Sequence, residues 1–243
     1  MDEFSIKGKT AVITGGARGL GFAFADILSE AGANIAILDV GTPKEGSLES
    51  LSEKYGVKVN VNAAGVVTDE SFLTTSDKNL ASTFNVNFIG SFLVAQACGN
   101  AMVRKWEKLG KPKPADSASM GSIIFIGSVA THISTYVQQI TCYTASKAAI
   151  CGLVKPMAME LAQYGIRVNS LSPGSMRTDM FLQVEKVFPD LTKQFNQESM
   201  FGRVGYPKEL GPALMYLATS NWTTGQDILV DGGVSSWKHR GSW

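Results

Sequence analysis

The sequence carries almost no net charge: 22 Lys and Arg stand against 21 Asp and Glu, a formal +1. That balance gives no electrostatic reason to expect nucleic acid or an anionic membrane surface as a partner. Cysteine is scarce, odd in number and without Cys-x-x-Cys spacing, occurring only as Cys98, Cys142 and Cys151. A disulfide framework and a Cys-rich zinc site are thereby excluded, no metal ligands are expected, and reduced thiols make the cytoplasm the expected location. No apolar run approaches the ~20 residues that a membrane span needs. The opening Met1-Asp-Glu-Phe-Ser-Ile-Lys-Gly8 is acidic and lacks the apolar centre of a signal peptide. Linkers, repeats and low-complexity segments are also lacking. The 243 residues therefore read as one α/β domain, 1–243, long enough to bury a core unaided.

What is present begins with a β-branched run, Lys9 to Ile13, passing directly into Thr14-Gly-Gly-Ala-Arg-Gly-Leu-Gly21 and then an amphipathic stretch, Phe22 to Ala31. The order is strand, glycine loop, helix. Gly15, Gly19 and Gly21 let the backbone turn tightly and approach a ligand, and the N-terminus of the following helix offers N–H groups to a pyrophosphate. A second apolar strand, Asn34 to Leu38, ends in Asp39. An acid there can accept from ribose hydroxyls and repel a 2′-phosphate, which favours NAD over NADP; it can equally be an ordinary solvated acid at a strand end. Arg18 works in the other direction, since a basic loop residue can hold a 2′-phosphate, cap the helix or pack on adenine.

Further along, Leu80 to Trp106 has the apolar periodicity of a buried helix, and Gly121 to Gly127 is an apolar run ending in Ser128, the pattern of a parallel strand covered on both faces. Helix is expected from Tyr143 to about Tyr164 with Pro156 interrupting its pattern, then strand at Ile166 to Ser170, helix at Pro207 to Leu217 and a last strand at Asp227 to Val230. Thr178 to Met200 mixes apolar and charged residues with little order; a mobile lid is expected over about 176–203. Tyr143 and Lys147 are four residues apart, so a helix stacks them on one face. A nearby ammonium favours the phenolate, and Tyr143 is then expected to exchange protons at working pH.

Taken together these motifs resemble the short-chain dehydrogenase/reductase family over nearly the whole chain. The glycine loop, the Asn62-Ala63-Ala64-Gly65 turn, Asn87, Ser128, the Tyr143/Lys147 pair and the Pro173-Gly174-x-x-x-Thr178 segment each match a family motif. The resemblance implies a Rossmann-type doubly wound parallel sheet. It implies catalysis by Asn87, Ser128, Tyr143 and Lys147, with Lys147 also holding the ribose, Ser128 orienting the substrate oxygen, and Asn87 anchoring a water that links Lys147 to solvent. Cofactor contacts would come from Gly15, Arg18, Gly19, Leu20, Gly21, Asp39, Asn62, Ala63, Gly65, Tyr143, Lys147, Pro173, Gly174, Met176 and Thr178. The Gly127-Ser128…Gln138-Gln139…Cys142-Tyr143 pattern and Val230-Asp-Gly-Gly…Trp237 look like sugar-alcohol dehydrogenases such as those for D-arabinitol or mannitol, so the expected reaction interconverts a polyol and a ketose. His132, in the same loop, is a candidate for substrate contact.

One stretch departs from the family. Only Gly56 to Val61 remains for a third and a fourth strand, whereas a strand–helix–strand unit needs roughly 30 residues, so about 25 residues of that unit are expected to be missing from the family pattern. This leaves two alternatives beside the polyol enzyme: a ketoreductase of a larger metabolite, or a non-catalytic dehydrogenase-like binding protein. Apolar residues on more than one face of two helices, among them Phe88, Phe92, Val94 and Met102, then Ile150, Leu153, Met157 and Leu161, lead to the expectation of a homodimer or homotetramer.

Overall fold

The computed structural model describes residues 5–39, 66–67, 69–114, 119–135, 137–187 and 189–237. The shortened segment at 56–61 and Asn62, Ala63 and Gly65 lie outside the described residues. The chain divides into two compact units, Met1–Gly65 with Ser175–Thr219 and Asp231–Trp243, and Val66–Gly174 with Ser220–Val230.

In the first unit, β1 (Thr10–Thr14) and β2 (Asn34–Leu38) pair in parallel, Thr10 opposite Asn34 and Thr14 opposite Leu38, and α1 (Gly19–Glu30) connects them. Ile13, Ile35 and Ile37 on the strands and Phe24, Ala25 and Leu28 on α1 are buried, because β-branched residues line the pleat and the helix turns one apolar face inward. The turn between β1 and α1 is built on missing side chains. A Cβ on Gly16 would stand 2.6 Å from Ile37 Cγ2, and one on Gly21 would stand 2.2 Å from the Gly15 carbonyl oxygen.

The same unit contains α5 (Asp179–Val187), α6 (Pro189–Glu198), a 3₁₀ turn at Pro207–Leu210 and α7 (Gly211–Thr219). The first two correct the expectation of little order across Thr178 to Met200. Their shared apolar contact is sparse in sequence, chiefly Phe181 and Phe195, whose rings meet edge to face with centroids 5.6 Å apart.

The second unit holds α2 (Asp77–Phe84), a single π-helical segment (Asn85–Gly90), α3 (Ser91–Lys108), β3 (Gly121–Ile126), α4 (Thr141–Leu161), β4 (Ile166–Pro173) and β5 (Asp227–Val230). Its sheet runs β3-β4-β5, all parallel, with Ile126 beside Leu171 and Ser170 beside Asp227. All eight residues of the central strand β4 are buried. Ile123, Phe125, Ile166 and Val168 from the sheet pack with Ala95 of α3 and with Ile150, Val154 and Ala158 of α4. Fully burying an aliphatic side chain of this kind contributes about 1.5–3 kcal/mol, so this cluster fixes α4 on the sheet.

Pro156 lies inside α4 without ending it. Both Pro156 and Gly152, whose carbonyl loses its partner i+4 donor, are exposed, so that carbonyl is open to solvent and the helix continues.

The continuous helical stretch from α2 to α3 differs from the buried helix expected at Leu80 to Trp106. Thr83, Asn87, Ala95 and Gly99 are buried along it, whereas Leu80, Ile89, Phe92 and Leu93 are exposed. By length and composition Asp77–Lys108 also passes for a membrane span, with mean hydropathy 1.3 over its most apolar window. That result qualifies the expectation that no run is apolar enough.

Candidate active site

Three elements of the second unit bring the four expected catalytic residues into one network. Asn87 sits in the π-helical segment and is 4% exposed. Its Nδ2 donates to the Val66 carbonyl at 2.9 Å and to Ser146 Oγ at 3.0 Å, while its Oδ1 accepts from the Val66 amide at 3.1 Å. Ser146 Oγ in turn donates to the Tyr143 carbonyl at 2.7 Å. One extra residue in a helical turn re-aims a side chain, and here the π segment coincides with the asparagine. The side-chain amide of Asn87 is therefore committed to protein partners that fix its place against α4.

Ser128 follows β3 and caps the 3₁₀ turn Val129–Thr131, its Oγ accepting from the Ala130 amide at 3.2 Å. The Ser128 side chain lies near enough to the Tyr143 phenol to lower its pKa. Tyr143 and Lys147 lie in the first two turns of α4, with Lys147 Nζ 5.8 Å from the centre of the tyrosine ring. Lys147 Nζ donates to the Ile126 carbonyl at 2.8 Å.

The electrostatics differ from the sequence expectation. Burial pushes the Tyr143 phenol above its ordinary value, and the neighbouring Ser128 pulls it partly back. Burial also brings the Lys147 ammonium down from 10.5 to about 8, against a smaller upward pull from Cys151. Burial is the largest cause of both shifts. The group that lowers the phenol here is Ser128.

The glycine loop and its partners lie in the first unit. Gly15 and Gly19 take positive φ values of 67° and 56°, which favour glycine. Arg18, exposed, occupies the N-cap of α1 in an extended conformation, and no side chain caps that helix. The first-turn amides, including those of Leu20 and Gly21, are thus left to a ligand. The Asp39 carboxylate, 7% exposed, is turned toward this loop, with Oδ2 accepting from the Ala17 amide at 2.9 Å. Thr178 packs on the loop as well, its Cγ2 lying 3.9 Å from where a Cβ on Gly19 would stand. The Thr178 amide donates to the Met176 carbonyl at 2.9 Å, and buried Met176 bridges to Gly205. In the second unit, Pro173 ends β4, and the Gly174 amide donates to the Val230 carbonyl at 3.0 Å. An uncapped helix start behind a turn with no room for side chains fits the phosphates of a dinucleotide.

Sequence reasoning did not single out Gly16, Ser146 or Val66. Gly16 stands in the glycine run itself, and Ser146 lies within the Tyr143–Lys147 stretch, so both had a local signal; Val66 is joined to Asn87 through its backbone and had none.

Residues 56–235 match the family model described as enoyl-(acyl carrier protein) reductase. A sorbose reductase of Candida albicans is 34% identical, with 97% of this chain and 90% of that protein aligned. The chain belongs to the short-chain dehydrogenase/reductase family. A probable NADP-dependent mannitol dehydrogenase of Yarrowia lipolytica is also 34% identical, over 96% of this chain and 90% of that protein. The crystal structure of a gluconate 5-dehydrogenase from Burkholderia cenocepacia, in complex with NADP and tartrate, superposes with a TM-score of 0.80 at 27% identity, covering 98% of this chain and 99% of that one. The fold is accordingly that of the short-chain dehydrogenases, an α/β Rossmann type with parallel sheets. The alignment to the Candida reductase runs over 256 positions, more than the 243 residues of this chain, so that relative carries residues this short-chain dehydrogenase lacks.

Proposed function

We propose that this short-chain dehydrogenase interconverts a secondary alcohol and a ketone of the polyol/ketose class, using NAD(H) in preference to NADP(H). The observation that carries the reading is Lys147 Nζ held 5.8 Å from the centre of the Tyr143 ring, one helical turn away, with Ser128 near enough to the phenol to lower its pKa. A bound nicotinamide supplies or accepts the hydride. Tyr143 gives its phenolic proton to the oxygen of a ketone undergoing reduction, or takes it from the alcohol in oxidation. Ser128 holds that oxygen beside the phenol. Lys147 supports the developing phenolate charge and hydrogen-bonds the cofactor ribose. Asn87 contributes through its backbone and its hold on Ser146, since its side-chain amide is already bonded to Val66 and Ser146.

The polyol class is supported by the likeness to a sorbose reductase and a mannitol dehydrogenase. NAD preference is supported by the buried Asp39 carboxylate against the glycine loop, where a 2′-phosphate would meet a negative charge shielded from water. The gluconate 5-dehydrogenase structure with NADP and the name of the Yarrowia relative favour the other cofactor, so both must be assayed. We further propose a cytoplasmic homo-oligomer. Reduced-nicotinamide absorbance, followed with NAD and NADP across mannitol, arabinitol, sorbitol and simple secondary alcohols, tests the assignment. Turnover of bulky ketones but no polyol would move the substrate class, and cofactor binding without any turnover would leave a binding protein.

A further inference from the structure

Asp227, the first residue of β5, gathers side chains from three other segments. Its Oδ1 accepts from Ser170 Oγ at 2.7 Å and Ser172 Oγ at 2.8 Å. Its Oδ2 lies 3.0 Å from Ser172 Oγ, 2.7 Å from His132 Nε2 and 3.9 Å from Cys151 Sγ. Ser170 and Ser172 alternate on β4 and so share a face; both are fully buried. Thr131, the neighbour of His132, donates to the Ser128 carbonyl at 2.9 Å and meets Cys151 Sγ at 3.9 Å. The third and fourth residues after Ser128 are thus both fastened to one polar cluster spanning β4, β5 and α4. The chain leaves space for it: a Cβ on Gly127 would stand 2.3 Å from Ser172 Oγ and 2.9 Å from Cys151 Sγ.

Stability alone gives little reason for the His132 contact. The His132 and Asp227 side chains keep 35% and 19% of their exposure, and a pair so open to solvent contributes little to folding. What the contact does fix is geometry. Cys151 lies one turn beyond Lys147 on α4, so the cluster ties the turn that starts at Ser128 to the helix that carries Tyr143 and Lys147.

We propose that His132 and Asp227 are positioning residues: by holding the Ser128–His132 turn they set the Ser128 hydroxyl against the Tyr143 phenol. The proposal rests on the reading of Ser128 as the group that orients the substrate oxygen. A misplacement of about 1 Å at such a group costs on the order of a hundredfold in rate, so even partial loosening is measurable.

The test uses the full chain with sorbose and fructose as ketose probes and NADH and NADPH as reductants. His132→Ala and Asp227→Ala are expected to lower kcat about tenfold or more and leave both KM values within about threefold; the melting temperature should stay nearly unchanged in His132→Ala but fall in Asp227→Ala, which leaves the buried Ser170 and Ser172 hydroxyls without their acceptor. Amide exchange at Val129–Ile133 should quicken in both without cofactor or substrate present. His132→Gln, whose amide N–H can donate to the same carboxylate, should recover most of kcat. Unchanged kcat in both alanine variants overturns the proposal, as does a loss confined to ketose KM, which would make His132 a substrate contact, or a loss in His132→Ala that follows a fall in melting temperature. Ser128→Ala separates the two levels. If it retains turnover, the reading of the site itself fails; if it abolishes turnover while His132→Ala does not, only the positioning role fails.

Discussion

Lys147 Nζ donates to the carbonyl oxygen of Ile126 at 2.8 Å, reaching from the second turn of α4 to the last residue of β3. The bond places an ammonium in a buried setting that lowers its pKa from 10.5 to about 8. Between those values the unfolded chain keeps a proton that the folded chain has lost, so stability rises with pH across that window, while below it the full cost of burying the charge is present. Lys147→Met removes the cost together with the charge. Denaturant unfolding at about pH 7 and about pH 9.5 should show the parent gaining stability relative to this variant as pH rises. The variant should also bind cofactor more weakly and turn over more slowly, since the ammonium serves both ribose and phenol. A pH-independent stability difference, or damage to only one of binding and turnover, would contradict this account.

Tyr143→Phe removes the proton-carrying oxygen and leaves the ring in place. Turnover should fall by at least a thousandfold, about 4 kcal/mol of transition-state stabilisation, with cofactor affinity nearly unchanged. Fluorescence titration with NADH and steady-state rates measure the two separately. Activity within tenfold of the parent would remove Tyr143 from the chemistry.

How far the sequence could go depended on how local each signal was. The strand–glycine–helix start is contained in one short stretch, and the expected Lys9 to Ile13 strand is observed at Thr10–Thr14. The last strand, Asp227–Val230, is observed where it was expected. Tyr143 and Lys147 needed only a helix to bring them to one face. By contrast, α5 and α6 were missed because each is short and sets charged residues among its apolar ones, while Phe181 and Phe195, whose rings meet, stand on different helices. The π segment at Asn87 has no composition signature of its own. The His132–Asp227 contact joins residues 95 positions apart, beyond any spacing argument. The direction of the Tyr143 shift depended on burial, which proximity to Lys147 does not reveal.

Asp39 supports a prediction on cofactor choice. Its charge, held against the Ala17 amide, should favour NAD over NADP by at least ~1.4 kcal/mol, a tenfold ratio in kcat/KM. Asp39→Asn keeps an oxygen for the Ala17 amide and removes the charge, so the ratio should shrink while the loop stays intact. Equal use of both cofactors by the parent would defeat the prediction, and an unchanged ratio in the variant would show that another residue decides.

Assembly follows from the helical stretch Asp77–Lys108. Ile89 and Leu93 stand one turn apart at 45% and 55% exposure, with Leu80 and Phe92 also open. A row of exposed aliphatic and aromatic side chains is costly in water and marks a contact surface. A stable contact between two copies buries about 800 Å² on each, an area that a helix of this length can supply in large part. Light scattering at micromolar concentration should therefore show a dimer or tetramer. Ile89→Glu with Leu93→Glu should shift it to monomer, because two carboxylates on one face would have to be desolvated to remake the contact. The same stretch passes for a membrane span by hydropathy alone, but Asn85, Asn87, Gln96 and Asn100 punctuate it, and Asn87 is committed to Val66 and Ser146 within the unit. Flotation with neutral lipid vesicles should accordingly leave the protein in the aqueous fraction. A parent protein that is monomeric under these conditions would refute the subunit contact, and one that floats with the vesicles would assign this face to lipid instead.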